Sequence, residues 1–281
     1  MKQPVLVLLL ALAIPFSQAV AVKTGGDQSP YDFDGTYHTT VPTNEIGNWS
    51  MGWGSGGGTG WDYVGATGAA SAVYLGNGWV LTAAHVNLDS IFTLGGTVYQ
   101  RVANSEITSI VTTNGTNGIA DLTLFRIASE PNLPPLTIAT TTNPGSSVVM
   151  LGFGGGHGET WGLNTINPEG TLVDAGSWWS DDFSVTYSPI TDANLVLGDS
   201  GGGDFTYNPD SRQWELTGIN EAVDTISTDA TYGDSYMIDL SEYAPQINAI
   251  TGVPEPETWL LFGAGALLLY ARSRLTRFRC G

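Results

Sequence analysis

The amino-acid sequence predicts an all-β protein assembled from many short strands. Thirty-seven glycines punctuate the chain, and the runs between them are rich in β-branched and aromatic residues, nine tryptophans included; such runs suit a pleated, half-buried surface. Size agrees, because 281 residues of which 42% are hydrophobic can bury one large core or two modest ones.

The elements follow in order. Residues 22–64 form a polar, glycine-rich N-terminal arm or propeptide, in which "GWGSGGGTG" at 52–60 reads as a flexible loop. In "ASAVYLGNGWVLTAAHV", residues 70–86, two apolar runs flank Gly76, Asn77 and Gly78, a hairpin signal. Strand-like runs follow at 91–102, 106–113 and 121–128, so residues 65–135 make a first half. The stretch 129–147 holds Pro131, Pro134, Pro135 and Pro144 and reads as a connector. Runs at 147–154, 170–176, 183–188 and 235–240, with a hairpin pair about Pro209 and Asp210, give a second half ending near 252. Short strands at this turn-punctuated spacing are what barrels use. Tyr243, Ile247 and Ile250 fall at i, i+4 and i+7 after Asp239, the pattern of one short closing helix with Pro245 near its first turn.

Both ends read as addresses. Residues 1–21 carry Lys2, an apolar run from Val5 to Ile14 and the small-residue pattern Ala19, Val20, Ala21, the three parts of a cleavable export signal. Residues 253–281 carry a Val-Pro-Glu-Pro stretch, thirteen apolar residues from Trp259 to Ala271 and four arginines beyond. Thirteen residues are short against the roughly 20 of a spanning helix. As a short membrane helix, the segment would be held by its arginines with that end inside and the body of the chain outside. This tail resembles the PEP-CTERM sorting tails of Gram-negative bacteria. The resemblance implies processing by an exosortase and a mature protein at the envelope or beyond it, amid exopolysaccharide.

Charge narrows the partners. Between Val22 and Gly252 there are 25 acidic residues against Lys23, Arg101, Arg126 and Arg212, a surface that repels nucleic acid and anionic lipid. Cys280, in the tail, is the sole cysteine, so no disulfide can form within the folded body. Acids such as Asp181, Asp182 and Asp192 match no calcium-loop spacing, and neither metal nor cofactor is expected.

The chemistry concentrates in "GDSGGG", residues 198–203. Gly198, Ser200 and Gly202 fit the G-x-S-x-G nucleophile elbow, but that fold needs a histidine after its serine. His38, His85 and His157 all precede Ser200, and the glycine-rich segment after it lacks helix formers. The order histidine, acid, serine does fit. His85 ends the apolar run "GWVLTAAHV", Asp121 heads the apolar run "DLTLFRI", and Ser200 follows. His38 and His157 have no motif partner and read as solvated loop residues. Ser235, in a second Gly-Asp-Ser without the following glycines, reads as a strand-edge residue.

"LTAAHV", "ADLTLF" and "GDSGGG" resemble, in order and spacing, the three triad motifs of trypsin-like, chymotrypsin-fold serine proteases. The resemblance spans about residues 65–250. It implies two six-stranded antiparallel β-barrels, and a secreted endopeptidase acting on protein or peptide substrates as a monomer. His85 would be the general base, Asp121 its orienting acid, Ser200 the nucleophile, and the amides of Gly198 and Ser200 the oxyanion hole. It also implies a substrate pocket with Asn194 at its base. Glu221, Ala222 and Val223 stand on the wall where the family commonly has Ser, an aromatic and Gly. Val223 would narrow that pocket, whereas Asp234, reaching in from the neighbouring strand, would favour Lys or Arg. No Ile-Val-Gly-Gly start follows residue 22, so Asp199 is expected to be paired within the chain, as in bacterial relatives. The competing expectation is a catalytically silent binding or matrix protein on the same scaffold.

Overall fold

The computed structural model describes residues 38–42, 46–53, 58–112, 118–154, 158–187, 193–226 and 231–253. Two short strands precede these, β1 (Leu6–Val7) and β2 (Ala21–Val22). His157 and the sorting tail lie outside the described residues.

Two curled antiparallel sheets pack together. The first is built from β3 (Val64–Thr67), β4 (Ala70–Gly76), β5 (Trp79–Ala83), β6 (Ile91–Leu94), β7 (Thr97–Gln100) and β8 (Leu122–Arg126), in the order β7-β6-β3-β4-β5-β8. Single bridges from Arg101 to Ile127 and from Ile107 to Leu124 lead the chain after β7 back to β8, so the sheet curls closed. The β4–β5 hairpin turns through Asn77 and Gly78, with φ of +52° and +75°. A two-residue hairpin loop needs left-handed backbone there, which is why Asn-Gly serves.

The second sheet contains β9 (Ser147–Gly152), β10 (Thr160–Thr165), β11 (Thr171–Asp174), β12 (Trp179–Thr186), β14 (Gly203–Asn208), β15 (Gln213–Ile226) and β16 (Thr231–Asp239). Its order is β11-β12-β16-β15-β14-β9-β10, with β1 added in parallel beside β11. An Ile166–Val185 bridge curls this sheet back on itself. A separate pair joins β13 (Ala193–Asn194) to β2. The two half-barrels therefore have six and seven antiparallel strands, where two sixes were expected.

Three local readings change. Residues 106–112, the described part of the run expected at 106–113, do not form a strand: Ile107 and Val111 make one bridge each, so this segment laces an edge instead. Strand β10 was not anticipated, because "TWGLNT" has little regular alternation; its pairing along the whole of β9 makes it a strand. His38 is not a solvated loop residue. It bridges to Trp161, and the two rings meet edge-on at 4.5 Å.

The arm is also part of the body. Trp49 is buried, with Trp53 and Trp214 against it at 4.8 and 4.9 Å. Trp53 and Trp214 stack at 5.7 Å with their planes 7° apart. The Trp214 Nε1–H donates to the Asn48 carbonyl at 3.0 Å and its backbone N–H to Gly52 at 2.9 Å. Residues 46–53 thus pack onto β15 as core.

A main hydrophobic cluster runs through both half-barrels and a smaller one lies within the second. Helix α1 (Gly60–Tyr63) leads into β3. Helix α2 (Leu240–Thr251) is capped by Asp239, which accepts from the Ser241 N–H at 3.0 Å, and ends at Gly252 in the left-handed region. Its Pro245 lies in the second turn, beyond the expected position. Buried Tyr243 ties α2 to both sheets: its hydroxyl accepts from the Asp181 N–H at 2.8 Å and lies 3.0 Å from Thr112 Oγ1. No helix among the described residues is long and apolar enough to cross a membrane. The short membrane helix expected at 259–271 falls outside them.

Candidate active site

Strand register brings two of the expected residues together. β5 pairs with β8 so that Ala83 faces Leu122, and the Ala84 N–H donates to the Asp121 carbonyl at 3.0 Å. His85, in the turn beyond β5, is thereby set beside Asp121. The fully buried carboxylate of Asp121 accepts the His85 backbone N–H on Oδ1 at 2.8 Å and meets His85 Nδ1 through Oδ2 at 2.5 Å. A carboxylate in that position holds the proton on Nδ1 and leaves Nε2 bare. The histidine side chain is 25% exposed, so that nitrogen can reach a substrate.

Ser200 sits on a loop folded against the same strands. Its carbonyl accepts the Ser71 N–H at 2.9 Å, while Ser71 Oγ donates to the Gly198 carbonyl at 3.2 Å. Thr82, three residues before His85, donates to the Ser71 carbonyl at 2.7 Å. The loop needs glycine at Gly201, whose φ is +83° and whose Cβ would strike Thr82 and the Ser71 carbonyl. Among the described residues, no backbone hydrogen bond takes up the N–H of Gly198 or of Ser200. Among the described residues, no hydrogen bond joins the Ser200 hydroxyl to His85.

Asp199 is fully buried. Its Oδ1 accepts the Gly154 N–H and its Oδ2 the Val196 N–H, both at 3.0 Å. Gly152 leaves room for it, since a Cβ there would collide with the carboxylate.

A family model described as the trypsin-like peptidase domain matches residues 69–219, and the PEP-CTERM protein-sorting motif matches residues 252–274. The chain belongs to the trypsin-like peptidase family. Its peptidase domain has distant likenesses among solved structures. The HtrA-type protease AlgW is 21% identical over 65% of this chain and 51% of its own, with a TM-score of 0.47. The active form of the Rv3671c protease from M. tuberculosis is 21% identical over 66% and 75%, at 0.44. The apo MamO protease domain of Magnetospirillum magneticum is 16% identical over 66% and 95%, at 0.47. The match thus spans about half of the AlgW chain, and no curated protein matches this one.

Within this trypsin-like domain the expected pocket residues are spread over three strands. Asn194, on β13, is buried and uses its amide internally: Nδ2 donates to the Leu195 carbonyl at 3.0 Å and Oδ1 accepts from Ser235. Ser235 is accordingly no strand-edge residue but a buried one on β16, and it also accepts the Leu195 N–H at 3.0 Å. Val223 on β15 and Asp234 on β16 are half-buried.

Sequence reasoning missed what lies behind Asp121. Ser180 Oγ, on β12, accepts the Asp121 N–H at 2.9 Å and donates to Glu221 Oε1 at 3.3 Å. Asp182 and Glu221 are buried, and burial first of all, with the carboxylates around them, pushes both well above the usual carboxylate range. Nothing in "WWSDDF" marks Ser180 and Asp182 as neighbours of a residue some 60 positions earlier. The Ile219–Ile238 and Asp182–Ile238 pairings of β15, β16 and β12 make them so. Among the described residues no cluster of His, Cys, Asp and Glu is arranged to hold a metal.

Proposed function

We propose that this protein is an exported serine endopeptidase with His85 as general base, Asp121 as its orienting acid and Ser200 as nucleophile. The observation that carries the reading is the His85–Asp121 pair, held by two contacts at 2.5 and 2.8 Å at the strand end on which the Ser200 loop is anchored.

A serine hydroxyl is a weak nucleophile near neutral pH, so His85 Nε2 takes its proton as Oγ attacks the scissile carbonyl. The unpaired N–H groups of Gly198 and Ser200 then meet the developing oxyanion. One such donor is worth about 3 to 4 kcal/mol of barrier. The proton returns from His85 to the leaving amine, the acyl group stays on Ser200, and water activated by the same nitrogen releases it. Asp121 keeps its charge throughout and steadies the imidazolium.

Asn194, with both ends of its amide spent on the chain, leaves a neutral pocket base. Together with Val223 it supports a preference for small or medium uncharged P1 side chains, which cleavage of a peptide library reads directly. The sorting motif supports exosortase processing and delivery to the cell surface. Mass spectrometry of the native protein should then end near the Val-Pro-Glu-Pro stretch.

The test of catalysis is fluorophosphonate labelling and peptide hydrolysis by residues 22–252. One label per chain, at Ser200, and loss of both signals in Ser200→Ala are expected. Asp121→Asn should lower kcat by about 10⁴-fold by placing the proton on the wrong nitrogen. A folded protein inert to the label would instead be a silent binding scaffold.

A further inference from the structure

We propose that Glu221, in its protonated form, donates a hydrogen bond to Asp121 and is a positioning residue for the triad, with Asp182 as its second partner.

Local backbone geometry aims the side chain. On β15, Asn220 pairs with Met237 and Ala222 with Tyr236, the neighbouring residue of β16, so Glu221 is the extra residue of a β-bulge. A bulge leaves one residue unpaired and re-aims its side chain, and here the carboxyl is turned inward, 5% exposed. The Ser180 hydroxyl that accepts the Asp121 N–H donates to this carboxyl, which sets Glu221 beside Asp121, and Asp182 is buried with them.

Donors and acceptors then place the proton. Glu221 Oε1 is occupied by the Ser180 hydroxyl at 3.3 Å. Its Oε2 and both oxygens of Asp182 are buried and meet no donor. Ionised carboxylates only accept, so carboxyl groups in contact must hold a proton between them. Asp121, fully buried, already accepts twice from His85, so the shared proton belongs with Glu221 and Asp182. No cation offers an alternative among the described arginines. Arg101 pairs with Glu106, Arg126 lies over the Trp79 ring and Arg212 is on an exposed turn.

Apart from His85, the titratable groups facing the cluster among the described residues are acidic or phenolic: Asp181 from β12, Asp204 from β14, Tyr236 and Asp239 from β16, and Tyr243 from α2. Burial and these neighbours push the Glu221 and Asp182 carboxyls in one direction, upward. A neutral donor at Asp121 fixes the carboxylate without adding a second negative charge beside His85. Such a charge would make the imidazole more basic and spoil it as a base near neutral pH.

The kinetic part of this inference rests on the proteolytic reading; the charge state does not. Infrared spectroscopy of the Ser200→Ala protein with ¹³C-labelled glutamate should show protonated-carboxyl absorption at neutral pH, part of it from Glu159, of which one carboxyl's share disappears on adding Glu221→Gln. An unchanged spectrum overturns the proposal, whatever the enzyme does. In the active protein, Glu221→Ala should lower kcat about tenfold, the scale of lost supporting contacts, with KM held. Glu221→Gln, which keeps a donor, should recover most of that loss and retain the wild-type midpoint of the acidic limb of kcat/KM. A lower midpoint in Glu221→Gln would mean an ionised Glu221 and would also overturn it. Should Glu221→Ala fail to fold, the glutamine variant and the spectrum decide alone. A carboxyl stretch that Glu221→Gln removes, in a protein without turnover, would reject the protease reading and leave Glu221 protonated.

Discussion

Asp199 shows what a single residue settles about how such a site is switched on. In trypsin-like relatives that need activation, a newly cut N-terminus pairs with the acid before the catalytic serine; here the Gly154 and Val196 amides each donate a hydrogen bond to Asp199 at 3.0 Å. The loop carrying Ser200 is therefore shaped on folding. A protein whose N-terminus is blocked by a fused tag should label with fluorophosphonate as fast as the untagged one. Asp199→Ala should slow labelling about a hundredfold, the scale of losing an oxyanion donor, because it frees the loop and leaves a hole against Gly152. Residues of this kind were legible in part. The motifs around His85, Asp121 and Ser200 announce themselves because nucleophile chemistry needs those residue types and the trypsin-like family carries them in that chain order. The role of Glu221 was hidden, since it depends on one bulge and on β12 lying behind Asp121.

Among the elements, the segment Ile46–Trp53 departs most from its composition. Surrounded by glycines, it reads as a loose arm, yet Trp49 is 1% exposed and touches Trp53, Trp214 and Phe205. Phe205 and Trp214 lie more than 150 residues from Trp49, so no local periodicity could disclose them. Trp49→Ala should destabilise the protein by about 3 to 5 kcal/mol, as other large aromatic truncations in cores do, measured by urea unfolding. Residues 106–113 erred the other way. Their β-branched character is real, but it is spent on single bridges, because a strand needs a partner edge as well as a propensity. The hairpin at Asn77–Gly78 and the helix from Leu240 were legible because each is specified by its own residues.

Across the whole molecule, burial of acids sets the response to pH. Glu159 is pushed up to about 10 by burial, with Asp62 adding to it, and Asp182, Asp204 and Glu221 are raised as well, burial again leading. In the unfolded chain each would lose its proton near the ordinary carboxylate value; in the folded chain each keeps it. The folded state binds more protons in that window, so stability is greatest at or below about pH 4 to 4.5 as far as these groups decide it. It then falls as pH rises toward the folded values, by at most about 1.4 kcal/mol per pH unit for each group. A net charge of -18 adds self-repulsion in the same direction. Thermal melts between pH 4.5 and 8.5 should show Tm decreasing steadily; a Tm that rises over this range would contradict the burial of neutral acids.

The stacked indoles of Trp53 and Trp214 have an optical consequence. Two such rings 5.7 Å apart and 7° from parallel share their electronic excitations, so attachment of the arm to the second sheet writes its own circular-dichroism band. That band gives the arm a reporter separate from the strand signal, and Trp53→Phe should weaken it to the share of the remaining Trp49–Trp214 pair while leaving the strand signal in place.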